Sequence, residues 1–259
     1  MNITQEELDR RVWYHEFNFP NGMKTNPKDK AALYHKKTWE WMEYLLNRID
    51  FKDKTVLDIG CFDGKWSIYA EKRGAKSVLA TDDISQNNNP NHDNVYLVKE
   101  LYNSNIEINQ HVSIYNLTSL NQKFDIILCM GVYYHLLDIF YGFAQVRHCC
   151  NPNTIIVFEG DELIENGCYA KLNFKSAGGA QQVTDPAIRM LLQSTYFEII
   201  SKDIFDQDRK IVYSAYADLP SLMMRRAFIV CKPFYGKNLM YPYFKAPFGL
   251  DQYSKEISV

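Results

Sequence analysis

The chain has 259 residues, 46% of them hydrophobic and 23% charged, with a formal net charge of −2. That length buries one substantial core, so a single α/β domain with additions is the natural reading. The charge balance gives no global basic signal, so a nucleic-acid partner would need a local patch. No apolar run reaches membrane-spanning length and no signal peptide opens the chain, so a cytoplasmic location and no membrane partner are expected. Six cysteines (Cys61, Cys129, Cys149, Cys150, Cys168 and Cys231) show neither zinc spacing nor a secretory framework. They read as reduced thiols, and no metal site is predicted.

In chain order, residues 1–52 come first, an extension dense in aromatics: Trp13, Tyr14, His15, Phe17, Phe19, Tyr34, Trp39, Trp41 and Tyr44. Pro20-Asn21-Gly22 and Asn26-Pro27 punctuate it as turns. Residues 28–48 carry a helical pattern, with Leu33, Trp39, Met42, Leu45 and Leu46 on one apolar face. The rest of the chain, residues 53–259, forms the main domain.

That domain opens on Thr55-Val56-Leu57-Asp58-Ile59-Gly60-Cys61-Phe62-Asp63-Gly64-Lys65-Trp66-Ser67, followed by Ser77-Val78-Leu79-Ala80-Thr81-Asp82-Asp83. The pattern is a buried strand, a glycine turn, a helix over residues 65–73 stopped by Gly74, and a second strand ending in acid. Gly60 lets the backbone turn sharply and approach a ligand, because no Cβ stands in the way. Asp82, 18 residues past Gly64, can accept hydrogen bonds from both hydroxyls of a ribose, and Asp83 is the competing choice. The unit therefore reads as the seat of a nucleoside-bearing cofactor, with Asp58, Gly60, Cys61, Phe62 and Gly64 in the turn.

The glycine spacing discriminates between cofactors. A dinucleotide fingerprint needs G-x-G-x-x-G so that a helix N-terminus can meet a pyrophosphate. Here the pattern is D-x-G-x-x-x-G, with Phe62 where the second glycine would stand. Asp58 points a negative charge where a pyrophosphate would lie, whereas the ammonium of a methionine tail suits it. NAD is disfavoured and S-adenosylmethionine favoured. Glycines and acids also punctuate any strand–helix–strand unit, so the reading gains weight from the strands that follow.

Residues 85–91 read as a polar loop, 95–102 as a helix, 112–115 as the third strand and 124–130 as the fourth. A helix over 138–150 is stopped by Asn151-Pro152-Asn153, and 154–159 form the fifth strand. Residues 161–193 form an insertion with a flexible turn at 175–180 and a helix after Asp185-Pro186. Two more strands are predicted at 196–205 and 226–232. The alternation argues for a doubly wound parallel sheet, and the insertion would lie over the carboxyl ends of its strands as a lid or substrate wall. Residues 234–253, rich in Tyr, Phe, Pro and Gly, could be a tail laid over the domain or an oligomer contact; the oligomeric state stays open.

The fourth strand and its continuation, Phe124-Asp125-Ile126-Ile127-Leu128-Cys129-Met130-Gly131-Val132-Tyr133-Tyr134-His135, carry a family resemblance. Together with the glycine turn they resemble the class I S-adenosylmethionine-dependent methyltransferases. The nearest in motif is the tRNA wobble-uridine carboxymethyltransferase-like group, whose F-D-x-h-h-x-h-G-V-h-Y-H this stretch matches. The similarity covers roughly residues 53–160. It implies a Rossmann-like fold, a seven-stranded mostly parallel sheet with an antiparallel C-terminal hairpin, and an N-terminal helical extension (Trp13-Tyr14-His15 and residues 18–25 above all) covering the site. It implies that Asp58, Gly60 and Gly64 frame the methionine end of S-adenosylmethionine, with Asp82 on the ribose. Asn116 and Leu117 would sit beside the adenine, and Met130 and Gly131 near the sulfonium. Tyr133, Tyr134 and His135 would face the reaction centre. His135 has the ordinary pKa of a general base; equally, it could cap or orient the following helix, and the tyrosines could be substrate-stacking walls.

The wobble-uridine group uses a carboxylated cofactor, whose extra carboxylate needs cationic and hydroxyl partners. Tyr134 matches the motif tyrosine, but residues 13–25 give no clear match to that group's basic N-terminal segment, and Asp138 replaces basic character after the histidine. The expectation is ordinary S-adenosylmethionine and methyl transfer to an oxygen or nitrogen of a small-molecule or sugar-like acceptor. The alternative is tRNA wobble-uridine modification, drawing on Lys28, Lys30, Lys36, Lys37, Arg225 and Arg226 for phosphate contacts. Asp29, Glu40 and Glu43 interleave with the lysines, which reads more as a solvated helix surface. A third reading is a cofactor-binding scaffold without catalysis.

Overall fold

The computed structural model describes residues 3–27, 31–85, 91–176, 179–205, 209–211 and 222–255. Its contacts group into two units, residues 1–113 and 114–259.

In the first unit, helix α1 (Gln5–Arg10) starts at a capping box. Thr4 accepts from the Glu7 backbone N–H, and the Glu7 carboxylate accepts in return from the Thr4 N–H at 2.7 Å. Helix α2 (Ala31–Leu46) buries Trp39, Met42, Leu45 and Leu46, as its periodicity predicts. Strand β1 (Thr55–Ile59), helix α3 (Lys65–Lys72), strand β2 (Ser77–Thr81), helix α4 (Asn94–Leu101) and strand β3 (Glu107–Asn109) complete the unit. β1 and β2 run parallel from Thr55↔Ser77 to Ile59↔Thr81, and β2 and β3 from Leu79↔Glu107 to Thr81↔Asn109.

The third strand is thus five residues earlier than the sequence suggests. Val112 and Ile114 are buried, but from a bridge and a 3-10 turn rather than from a strand. His111 makes an isolated bridge to Asp83, the Val112 N–H donates to the Asp82 carbonyl, and Ile114–Leu120 coil into 3-10 turns kinked at Asn116. An apolar–polar alternation this short fits either conformation. Lys28, Lys30 and most of the predicted polar loop (86–90) lie outside the described residues.

In the second unit, strand β4 (Phe124–Met130) is followed by helix α5 (Ile139–His148), strand β5 (Cys150–Leu163), strands β6 (Ala170–Ser176) and β7 (Gly179–Val183), and helix α6 (Asp185–Ser194). Strands β8 (Phe197–Ile204), β9 (Arg209–Ile211) and β10 (Leu222–Pro233) close it. β4 and β5 are parallel; β10 runs antiparallel to both β5 and β8, and short β9 pairs with the start of β10. The strand order is β3-β2-β1 in the first unit and β4-β5-β10-β8 in the second. This is the predicted mixed, mostly parallel sheet of seven strands with an antiparallel C-terminal hairpin, the Rossmann-like class I methyltransferase arrangement.

Two features depart from the sequence reading. β5 runs on to Leu163, because β10 pairs with it from Ile156 to Leu163. The insertion therefore begins later and builds its own antiparallel ribbon, β6–β7. The tip of the turn predicted at 175–180, residues 177 and 178, lies outside the described residues. Past β10, Ala246, Leu250 and Tyr253 pack against Ala144 and Tyr196, so the C-terminal segment is a tail laid over its own unit. Among the described residues no helix is long and apolar enough to cross a membrane.

Candidate functional site

The first unit supplies an acid-lined turn between β1 and α3. Asp58 is buried inside β1, where Ser67 Oγ donates to its Oδ2 at 2.5 Å. Burial pushes the Asp58 carboxyl up to about 7; the Ser67 bond opposes this, while the negative charges of Asp82 and Asp63 add to it. Cys61, also buried, has its thiol driven well above the usual range by burial and then by Asp58, Asp82 and Asp63. Three carboxylates thus converge on one turn.

The backbone of that turn is held in an uncommon conformation. Gly64, the residue before α3, has φ +86°, and a Cβ there would meet Val95 Cγ2 at 3.0 Å, so both conformation and close packing require glycine. Phe62 sits at φ +51° without that freedom. What holds it is Asp82, whose Oδ2 accepts from the Phe62 N–H at 3.0 Å while Oδ1 accepts from the Asp83 N–H at 2.8 Å. Asp83 behaves differently: its Oδ1 accepts from the Ser85 N–H and Oγ, closing the next turn. Asp82 is thus tied to the glycine turn through the Phe62 N–H.

His15 and Asp63, which the sequence did not mark as partners, complete this half. The His15 N–H donates to Asp63 Oδ2 at 2.9 Å, and His15 Nδ1 bonds to Asp63 Oδ1; both side chains are buried. The ring lies among Tyr14, Trp39 and Trp66. Tyr14 also meets the Phe62 ring edge-on, with centroids 5.5 Å apart.

In the second unit, Met130 ends β4, and the Gly131 N–H donates to the Glu159 carbonyl at 2.9 Å. Tyr133–His135 form a 3-10 turn. Tyr133 is fully buried and donates its hydroxyl to the Asp161 carbonyl at 2.9 Å; burial drives its pKa well above the ordinary range. Tyr134 is half-buried and His135 exposed, their rings 4.2 Å apart. The cap of α5 is Asp138, which accepts from the Tyr141 N–H at 2.8 Å, so capping that helix does not fall to His135. Asn116 is exposed and Leu117 buried.

Beneath the tyrosines lies a buried ionic cluster that the sequence gave no sign of. Arg226 of β10 forks onto Glu159 of β5 with two bonds of 2.6 Å, reaches Asp161 at 3.4 Å, and donates from Nη1 to the Tyr134 hydroxyl at 3.2 Å. Burial raises the Glu159 carboxyl, against the pull of Arg226. Gly160 stands between the two acids in β5, and a Cβ there would meet Tyr133 at 2.6 Å and Tyr134 at 2.8 Å. Both rings therefore lie flush on the strand only because residue 160 is glycine. Such a pair is invisible to local pattern reading: Glu159 and Arg226 are 67 residues apart.

The same geometry bears on the basic residues considered for phosphate binding, of which Lys28 and Lys30 lie outside the described residues. Arg226 is spent on Glu159, Arg225 on the buried carboxylate of Glu162 at 2.5 Å, and Lys36 on Glu16 at 3.0 Å. Among the described residues no cluster of three or more histidine, cysteine or acidic side chains could hold a metal ion.

Residues 34–199 match the family model of a methyltransferase domain. The tRNA U34 carboxymethyltransferase of Cellvibrio japonicus (strain Ueda107) is 26% identical over 144 residues, 52% of this chain and 44% of that protein. The chain thus spans under half the length of that relative. Among solved structures, the N-terminal domain of EvdMO1 with SAH bound superposes with a TM-score of 0.61 at 13% identity, covering 89% of this chain and 94% of that one. A second is the Burkholderia thailandensis 1,6-didemethyltoxoflavin-N1-methyltransferase with bound 1,6-didemethyltoxoflavin and S-adenosylhomocysteine. It gives a TM-score of 0.51 at 14% identity, over 79% and 85% of the two chains. With the family model covering well over half of the sequence, the chain belongs to the methyltransferase domain family, in the class I, S-adenosylmethionine-dependent fold.

Proposed function

We infer that the chain transfers the methyl group of S-adenosylmethionine to an oxygen or nitrogen of a small-molecule acceptor. The observation that carries this is the convergence of Asp58, Asp63 and Asp82 on one glycine turn. A ligand with an ammonium and a sulfonium is attracted there, whereas the pyrophosphate of NAD is repelled. On this reading Asp58, Gly60, Cys61, Phe62 and Gly64 frame the methionine end. Asp82 holds the ribose, and Asp83 shapes the turn behind it. Asn116 and Leu117 serve the adenine, and Met130 and Gly131 the region of the sulfonium.

Methyl transfer is an in-line displacement, so the protein mainly aligns the acceptor and excludes water. Tyr134 presents a hydroxyl oriented by Arg226, and Tyr133 supports it from the core. His135, exposed and beside Tyr134, is the candidate base for an acceptor that must lose a proton. The small-molecule acceptor is supported by the 1,6-didemethyltoxoflavin of the Burkholderia structure and by the pairing of Arg225 and Arg226 with buried acids. The tRNA reading rests on the distant U34 relatives and on the motif of residues 124–135. A cytoplasmic location accords with the free thiols, five of six buried.

The test is to incubate the protein with methyl-labelled S-adenosylmethionine and either a small-molecule extract or bulk tRNA. Label in a nuclease-resistant compound of low mass is expected. Label in tRNA would overturn the acceptor class, and slow, acceptor-independent release of label would favour the scaffold reading.

A further inference from the structure

The pairing of His15 with Asp63 has no counterpart in what a glycine turn requires. Asp63 lies between Phe62, which is held by Asp82, and Gly64, which starts α3. Its carboxylate is fully buried, and such a group is tolerated only when hydrogen-bonded. Both of its oxygens are met by a single residue 48 positions earlier, through the backbone N–H and the imidazole Nδ1 of His15. Aromatic packing alone would be served as well by phenylalanine, because the surrounding faces are Tyr14, Phe17, Trp39 and Trp66. The bond to Asp63 is what requires a histidine.

The segment around His15 is itself tethered at both ends. The His15 carbonyl accepts from Thr25 Oγ1 at 3.0 Å, and the same hydroxyl oxygen accepts from the Phe17 N–H at 2.8 Å. On the other side the Val12 N–H donates to Asn91 Oδ1 at 2.7 Å, Asn94 Nδ2 donates to the Val12 carbonyl at 2.8 Å, and Arg11 Nε donates to Asn94 Oδ1 at 2.6 Å. The N-terminal segment thus reaches the glycine turn at its centre through the His15–Asp63 bond and through Tyr14 on Phe62.

We propose that His15 is a positioning residue for the cofactor turn: by binding Asp63 it holds residues 60–64 in their ligand-ready shape, so that ordering of the N-terminal segment and cofactor binding reinforce each other. This rests on the reading that the turn holds S-adenosylmethionine. A hydrogen bond to a buried charge is among the stronger single contacts in a protein, so its loss is felt by any ligand that needs the turn preformed.

Calorimetric titration with S-adenosylhomocysteine tests this on the full chain. The wild-type protein is expected to bind, and His15→Phe, which keeps the packing and the backbone bond but removes the imidazole bond, to bind about tenfold or more weakly. His15→Asn, whose amide can donate to Asp63, is expected to recover most of the affinity. Circular dichroism confirms that each variant is folded at the titration temperature. A folded His15→Phe protein that binds as the wild type does overturns the proposal, as does a His15→Asn protein no better than His15→Phe. Should His15→Phe not fold, hydrogen exchange on the wild-type protein decides. S-adenosylhomocysteine is expected to slow exchange in residues 12–17 together with 60–64, and protection of 60–64 alone overturns the coupling. No binding by the wild type would instead refute the cofactor reading itself.

Discussion

The two units bury their acids in different ways. In the first, Asp58 accepts from a serine hydroxyl, Asp63 from His15, and Asp82 from backbone N–H groups of the turn. In the second, Glu159 and Asp161 share the guanidinium of Arg226, and Glu162 is paired with both Arg225 and Lys202. On the proposed reading Asp58 and Asp82 of the first region face a cationic ligand; the second region pairs its acids internally with basic side chains and uses the pairs as a brace beneath Tyr134. On that reading the difference separates acids that serve binding from acids that serve the frame.

The largest effect should come from breaking the brace. Arg226→Leu leaves the Glu159 carboxylate buried without its cation, a change that costs about 3–5 kcal/mol in comparable pairs. Urea denaturation should show a loss of that order, with most of it recovered in the double variant Glu159→Leu/Arg226→Leu. A single-variant loss below about 1 kcal/mol would mean that water reaches the pair and that it is no brace.

Next in size is Asp82, the acid proposed for the ribose. Asp82→Ala should weaken S-adenosylhomocysteine binding by more than about tenfold, or 1.4 kcal/mol, through the lost ribose bonds and the released Phe62 turn. Asp83→Ala should do much less, because the Asp83 carboxylate accepts from the Ser85 N–H and hydroxyl in the following turn, whereas Asp82 accepts from Phe62 in the glycine turn. The reverse ranking would move the ribose onto Asp83.

A smaller effect is expected from pH. The Asp58 carboxyl titrates at about 7 in the folded chain against 3.8 ordinarily, because it is buried. The folded protein therefore holds a proton that the unfolded chain releases. This contribution to stability is full below the unfolded value and is lost as pH rises through about 7. An ammonium beside Asp58 favours the ionised form, so cofactor affinity should rise by up to about tenfold between pH 6 and 8. Asp58→Asn should flatten that dependence, and an unchanged slope would remove Asp58 as the ammonium partner.

The smallest effect is Tyr134→Phe. It removes one hydrogen bond from a buried guanidinium, for about 1 kcal/mol of stability, while cofactor affinity stays near the wild-type value. A large loss of affinity would place the hydroxyl on the cofactor.

The same contrast explains what could be read in advance. β1, α3 and β2 were legible because Val56, Leu57 and Ile59 form a buried run and Gly64 and Asp82 follow at diagnostic distances. β3 was misplaced because Val112 and Ile114 have a strand-like spacing that a bridge and a 3-10 turn bury equally well. The β6–β7 ribbon escaped notice because Lys171, Asn173, Lys175, Gln181 and Gln182 mask any apolar alternation. The partners of Asp63 and Glu159 come from segments 48 and 67 residues away, a distance over which spacing carries no signal.

The most direct measurement is calorimetric titration of the purified chain with S-adenosylhomocysteine beside NAD. An acid-lined turn predicts micromolar binding of the first and no heat from the second. Binding of NAD, or of neither, would contradict the assignment of the glycine turn as an S-adenosylmethionine site.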